Sequence, residues 1–391
     1  MINIMTPYIL LILFVAFLQF KNKSNNDKKS FIIAMLVLFS FAAFRGNGSG
    51  DYFTYIEYSK YITSLDMVFA SNFPMEIGFR IISYFVNITS LHQQFVIIIM
   101  NAISIACIGI FIKRHSSNKI LSVFLFLPFY LQFDMHTART AVAIGISVLS
   151  FQYIIDKKII KFIIIVLLAS AFHVISLAVL IIYLFKNIKF DIKIGLFMIA
   201  ASMIIVSVVS IDETLVSLFD VIGLREISLK YLAYVSNKSY GYAFSLFDPR
   251  LLISIGIYIL AKLRLTNPNK SETLLINITW LSAIVMVMLH EHTIFVIRAS
   301  SFFAIYTIIL IPMLLRRIKD CVTLKIEKFK IFTYKKISEI KGYYLFNTFV
   351  VLFFTAYTAV LLYRNAVEYK LFFTSPFEIR FQEFLNINSG V

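Results

Sequence analysis

Arginine is the residue with chemistry to offer in this chain. Arg139 follows Asp134-Met135-His136-Thr137-Ala138, Arg250 follows Asp248-Pro249, and Arg298 opens the apolar run Ala299 to Leu315. Each is expected in or near the first turn of an apolar helix. Asp248 is a natural N-cap and Pro249 a natural first helical residue, which makes the middle case the firmest. A helix N-terminus is the positive end of the peptide dipole, so a cation there costs roughly some tenths of a kcal/mol unless an anion joins it. Backbone amides and a planar guanidinium together make a site for phosphate or carboxylate, gripped bidentately. A lone arginine so placed would snorkel to lipid phosphate. Three predict an organised phosphate or diphosphate site.

A fourth arginine begins the segment Arg45-Gly46-Asn47-Gly48-Ser49-Gly50-Asp51-Tyr52. Its glycines permit positive φ and close backbone approach, so the loop is read as presenting Asp51 beside Arg45, although a plain connecting turn could share this composition. The candidate proton acceptors are Asp51, Glu76 in Pro74-Met75-Glu76-Ile77-Gly78-Phe79-Arg80, and His173 in Ala171-Phe172-His173-Val174. An ionisable side chain between two apolar runs, as His173 is, is a functional candidate by default; a hydrogen-bonded core histidine is its alternative. His290-Glu291-His292 invites a metal, but histidines two apart do not share a helix face, and no metal is expected. No P-loop, dinucleotide-binding glycine motif or Ser/His/Asp arrangement is present. Nothing supports ATP hydrolysis, and no cofactor is expected.

The elements that must position these residues follow from composition. A 60 % hydrophobic content with 15 % charged residues and a mean hydropathy of +0.84 exclude a soluble domain. They predict an all-α, polytopic transmembrane bundle. The apolar runs lie at 5–20, 31–44, 94–112, 120–133, 138–155, 162–172, 174–185, 194–211, 250–262, 273–290, 298–315 and 342–363, which gives about twelve helices. The runs on either side of His173 are short for a crossing, and read as a re-entrant pair or two short helices. Alternating the side at each run puts every lysine-rich connection on one face, the cytoplasmic one. Both termini then lie outside, as do Arg45, Arg80, Arg139, Arg225, Arg250, Arg298, Arg364 and Arg380 with only four lysines. Topology explains lysines kept inside; it does not explain arginines kept outside.

The chain is therefore read as one integral membrane domain, 1–391, with outer loops 45–93 and 212–249 and a basic cytoplasmic loop, 316–341. That last loop is expected to lie on the acidic lipid surface as a helix. The first run, Met5 to Phe20, lacks a basic start and a small-residue cleavage site, and is read as a retained helix. Loop 45–93 is read as short amphipathic helices, with Tyr52, Tyr55, Tyr58 and Tyr61 along one stripe in the headgroup interface; stacking on a sugar ring is the alternative. A net charge of +16 concentrated in short loops points to anionic lipid and not to nucleic acid. Cys107 and Cys321 fall at different depths and predict no disulfide.

Arg45 to Tyr52 with Asp51, Glu76-Ile77-Gly78-Phe79, Arg139-Thr140-Ala141-Val142-Ala143 and Ala171-Phe172-His173 occur in an order and spacing that resembles the EpsG/Wzy-type polysaccharide polymerases. The resemblance covers about the first 190 residues; beyond them it rests on helix pattern and on Arg298 ahead of Phe302-Phe303. Where that family commonly has Gly-Thr-Asp, this chain has Ser49-Gly50-Asp51. The resemblance implies a bacterial cytoplasmic-membrane glycosyltransferase that joins undecaprenyl-diphosphate-linked oligosaccharide repeat units on the outer face. Arg139 and Arg298, then Arg45 and Arg250, would hold the diphosphate. Asp51, Glu76 or His173 would accept the proton of the attacking hydroxyl. With arginines supplying positive charge, a metal is not required. A chain-length regulator and a flippase would be its partners, beside membrane lipids. The competing expectation is a lipid-linked oligosaccharide flippase, although transporters tend to show repeat symmetry and midplane charges that this chain does not.

Overall fold

A computed structural model of the chain describes residues 6–21, 28–45, 50–189, 191–221, 223, 225–236, 243–265 and 267–328, with 350, 352, 353 and 356. Among the described residues every regular element is helical. The order is α1 (Thr6–Lys21), α2 (Lys28–Ala43), α3 (Gly50–Lys60), α4 (Leu65–Phe69), α5 (Ile77–Ile88), α6 (Gln94–His115) and α7 (Lys119–Phe129). A π-helical turn, Tyr130–Asp134, leads to α8 (Ala138–Leu149), α9 (Phe151–Ile155) and α10 (Ile159–Ser170). A 3₁₀ segment, Val174–Ile181, precedes α11 (Ile182–Phe185), α12 (Ile192–Val208), α13 (Ile211–Val221) and α14 (Arg225–Ser236). The last are α15 (Pro249–Arg264), α16 (Lys270–Met288), α17 (Thr293–Ala304) and α18 (Thr307–Lys328).

Among the described residues each apolar run from 5–20 to 298–315 is mostly helical, and the polar residues between runs cap the helices. Asn118, Asp191, Asp248 and Asn269 each accept a backbone N–H of the helix they precede, and Asn269 with Glu272 forms a capping box. Length separates these helices. Gln94–His115, Ala138–Ile155 and Lys270–Met288 are long and apolar enough to cross a bilayer; the pair Thr293–Ala304 with Thr307–Arg317, bent by 44°, is a broken span or a re-entrant loop. The remainder fall short of the roughly 20 residues a crossing needs. Around His173, α10 and the stretch Val174–Phe185 are two short apolar helices. Of the run 342–363 only four residues are described. At the start of the basic loop α18 continues through Arg316 and Arg317 to Lys328 without a break, and the rest of that loop, 329–341, lies outside the described residues.

The chain divides into two compact units. Unit 1 comprises Met1–Tyr153, Lys158–Leu177 and Ile311–Val391; unit 2 comprises Ile154–Lys157 and Ala178–Leu310. In unit 1, α6 packs along α8, α10 lies against α8, and α2 against α6. Phe79, Val86, Val96, Met100, Ala138 and Val142 form a fully buried cluster that ties α5 to α6 and α8. Helix α3 packs on α5 and α6. The tyrosine stripe therefore faces protein, not headgroups: Tyr55 is buried in that cluster and Tyr52 and Tyr58 pack against it, whereas Tyr61, beyond the helix, is exposed.

In unit 2, α16 packs against α12, α15 and α17. The Trp280 indole N–H donates to the Gly195 carbonyl at 3.0 Å. A side chain at 195 would collide with the Tyr258 hydroxyl, so this glycine is what lets α12 and α15 approach. Asn277 donates to the carbonyls of Phe185 and Ile188, closing the end of α11.

Candidate functional site

The polar breaks of unit 1 converge. Helix α2 ends at Ala43, and Arg45, two residues on, is buried. Its guanidinium donates to the backbone carbonyl of Asp134. Pro128 removes one N–H from the last turn of α7, and the chain loosens directly afterwards into the π-helical turn that ends at Asp134. A terminal helix carbonyl without an internal partner is the negative end of the dipole, so a guanidinium satisfies both its hydrogen bond and its field. Tyr130 in the same turn donates to Leu38 of α2 at 2.8 Å. The Asp134 carboxyl is itself buried, which pushes it up from 3.8 to about 7 against the opposing pull of the Ser104 hydroxyl and Arg45.

Gln94, the first residue of α6, holds what lies on either side of the glycine loop. Its amide donates to the carbonyls of Ala43 at 2.9 Å and Arg45 at 3.2 Å. Its carbonyl oxygen accepts the Tyr52 hydroxyl at 2.7 Å. The loop itself, 46–49, expected to present Asp51, lies outside the described residues. Asp51 is in the first turn of α3 and accepts the Tyr55 hydroxyl at 3.2 Å. The face of α3 that carries Asp51 and Tyr55 also meets Arg139, whose guanidinium carbon is 5.8 Å from the centroid of the Tyr55 ring.

Arg139 is the second residue of α8, as its spacing predicts, and forms an ion pair with Glu76 immediately ahead of α5. Their side chains are 18 % and 25 % exposed. The pair is thus reachable from outside yet shielded enough for charge to count. Two residues past Glu76, the Gly78 N–H donates to the Ala171 carbonyl at 2.6 Å. This brings the Ala171-Phe172-His173 segment against the start of α5. His173 is buried, and its Nδ1 accepts the Ile175 N–H at 3.3 Å in a local turn. Arg80 turns away and donates to Ala70. Unit 1 so gathers Arg45, Asp51, Glu76, Arg139 and the His173 segment around Tyr55 and Gln94.

The other two predicted arginines belong to unit 2. Arg250 is the second residue of α15, with Asp248 as N-cap and Pro249 first, as expected. Its Nε and Nη2 both donate to the Asp248 carboxylate at 2.8 Å, and its guanidinium lies over the Phe244 ring. The anion at this helix start is the protein's own. Arg298 departs from expectation: α17 begins at Thr293, placing Arg298 in its middle, half-buried, and not in the first turn. The helix starts after the polar break at His290-Glu291-His292 and not at the arginine, because an arginine is a good helix former and does not interrupt it. Among the described residues no group of three metal-ligating side chains occurs.

Sequence reasoning missed Gln94 and Asp134, and placed Tyr55 at the headgroups and not beside Asp51 and Arg139. Gln94 carried a usable signal, an amide at the start of an apolar run. Asp134 was seen only as a neighbour of Arg139.

Long apolar helices, with arginines and carboxylates drawn together where α2, α3, α5, α6 and α8 begin or end, define a helical membrane protein with a polar site at one end of unit 1. The chain belongs to the EpsG family, whose model matches residues 28–371 and takes in both units. No curated protein and no solved structure matches it.

Proposed function

We propose that this protein is a polymerase of the bacterial cytoplasmic membrane that joins undecaprenyl-diphosphate-linked oligosaccharide repeat units, as O-antigen or another surface polysaccharide, on the outer face. The reading takes the chain as a multi-pass protein of about twelve crossings with both termini outside. One observation carries it: in a member of the EpsG family, Arg139 and Glu76 form a partly exposed ion pair beside Asp51, Tyr55 and Arg45.

In the reaction, a sugar hydroxyl of the incoming lipid-linked unit attacks the anomeric carbon of the growing chain. The bond from that carbon to the diphosphate oxygen breaks, its electron pair stays on the diphosphate, and the hydroxyl proton passes to a base. Charge develops on the leaving group, where Arg139 offers a guanidinium already in place. Asp51 is the favoured base, because its partner Tyr55 is a hydroxyl and not a cation. Glu76 is better suited to holding Arg139. His173, buried in a local turn, would reach the reaction only through the Ala171 contact. Arg45 supplies field from beneath. Arg298 and Arg250 belong to unit 2 and are given no step; Arg250 is already engaged by Asp248. No step requires a metal.

The test is a gel of lipid-linked and surface polysaccharide from cells lacking the chain, complemented with wild type or with Arg139→Ala. Single units reaching the surface without a ladder in both the null and the variant support the proposal. Units held on the cytoplasmic side with none exported would make the chain a flippase.

A further inference from the structure

Unit 2 holds a cavity lined by none of the residues of this chemistry. It has a volume of about 270 Å³ and is lined by Lys189, Asp191, Ile192, Lys262, Leu265 and Asn277, with three further residues. The volume is near the lower end of small-molecule sites. Three helix ends form it: the start of α12, which Asp191 caps, the end of α15, and the first turns of α16. Because α16 is long and apolar enough to span a bilayer, its first turns stand at the edge of the hydrocarbon, at the depth of lipid headgroups.

The lining has two ammonium groups against one carboxylate, and that carboxylate also accepts the Lys193 N–H at 3.4 Å. One negative charge would balance it. Asn277 is 1 % exposed; its amide N–H groups are used on Phe185 and Ile188, but its Oδ1 is buried with no donor among the described residues. A buried acceptor left so costs about 1–3 kcal/mol. Ile192 and Leu265 supply apolar wall that a fully hydrated ion would not use.

We propose that this cavity seats the headgroup of an anionic phospholipid, with its phosphate between Lys189 and Lys262 and a headgroup hydroxyl donating to Asn277. The ligand class is a phosphodiester carrying hydroxyls, of which phosphatidylglycerol is the simplest. The inference needs only that the chain lies in a membrane, and is independent of the polymerase reading.

Native mass spectrometry of the full chain in detergent tests it, with phosphatidylglycerol, phosphatidylcholine, glycerol phosphate and inorganic phosphate as probes at equal concentration. Phosphatidylglycerol is expected to be retained over the other three. The double variant Lys189→Ala/Lys262→Ala is expected to lower that retention about thirtyfold, as loss of two basic contacts near a lipid surface should. Lys113→Ala/Lys161→Ala, which removes the same charge elsewhere, should leave it unchanged. Asp191→Asn, which keeps a capping side chain, should raise it. Lys189→Glu alone, at an exposed position, should abolish it without altering the melting temperature in lipid-free detergent. Equal retention by the first double variant, or of phosphatidylcholine, overturns the proposal. So does binding of glycerol phosphate or inorganic phosphate as strong as that of the lipid, which would mark a soluble-anion site.

Discussion

The backbone N–H of Gly78 donates to the carbonyl of Ala171 at 2.6 Å, and a Cβ at residue 78 would stand 2.7 Å from that oxygen and 2.9 Å from the Phe172 ring. Two segments nearly a hundred residues apart are thereby locked together, and Glu76, two residues before the glycine, acquires a fixed position against Arg139. Only a residue without a side chain permits the contact. Gly78→Ala is expected to destabilise the protein by about 1–3 kcal/mol through overpacking and to erase the polysaccharide ladder. Gly256→Ala is the control: nothing stands within 4 Å of its Cβ, and alanine in a helix is the better former. Melting temperatures of both variants in detergent check the first effect, and complementation checks the second.

The Arg139–Glu76 pair can be separated into its two roles. Arg139→Lys keeps the charge and can still meet Glu76, but loses the planar fork; polymerisation should fall by about 10²–10³ as for loss of one transition-state donor. Glu76→Gln should cost less activity and more stability, since it replaces the charged partner of Arg139 with a neutral one. Rates of ladder growth in membrane vesicles with the two variants distinguish them. Near-normal polymerisation with lysine at 139 would remove the bidentate diphosphate grip from the mechanism.

The helical class, the helices that fall on apolar runs and the Asp248-Pro249 start of α15 were legible because they depend on apolar runs and capping residues, which are local; α13 and α14, in the segment read as the loop 212–249, were not. Arg139 in its first turn was legible for the same reason. The direction of the tyrosine stripe was not: a period near three shows that Tyr52, Tyr55 and Tyr58 share a face, but not whether lipid or α5 and α6 cover it. The Arg298 position failed because a polar residue was taken as a boundary when the boundary lay at His292. The Arg45–Asp134 and Gln94–Ala43 contacts join residues 89 and 51 positions apart. No spacing rule reaches that far.

Arg250 and Arg298 should behave differently from each other. Asp248 engages one edge of the Arg250 guanidinium through both carboxylate oxygens, so Asp248→Asn, which keeps a cap but loses the ion pair, should lower the melting temperature while changing ladder length little. Arg298→Lys, at a half-buried position within a helix, should preserve the fold and reduce polymerisation. A normal ladder from Arg298→Lys would remove that arginine from the diphosphate proposal.

Asp134 gives the pH dependence a direction. Burial raises its folded-state value from 3.8 to about 7, so between those limits the folded protein keeps a proton that the unfolded chain releases. The slope of unfolding free energy with pH is then negative: stability associated with this group is full below about pH 4, declines as pH rises and levels off above about pH 7. Asp134→Asn has no proton to lose and keeps the backbone carbonyl that Arg45 uses. Its melting temperature relative to wild type should therefore climb as pH rises from 4 to 7 and hold steady beyond. Thermal melts of both proteins across that range check it; parallel curves would mean that Arg45 keeps the Asp134 carboxylate ionised in the fold.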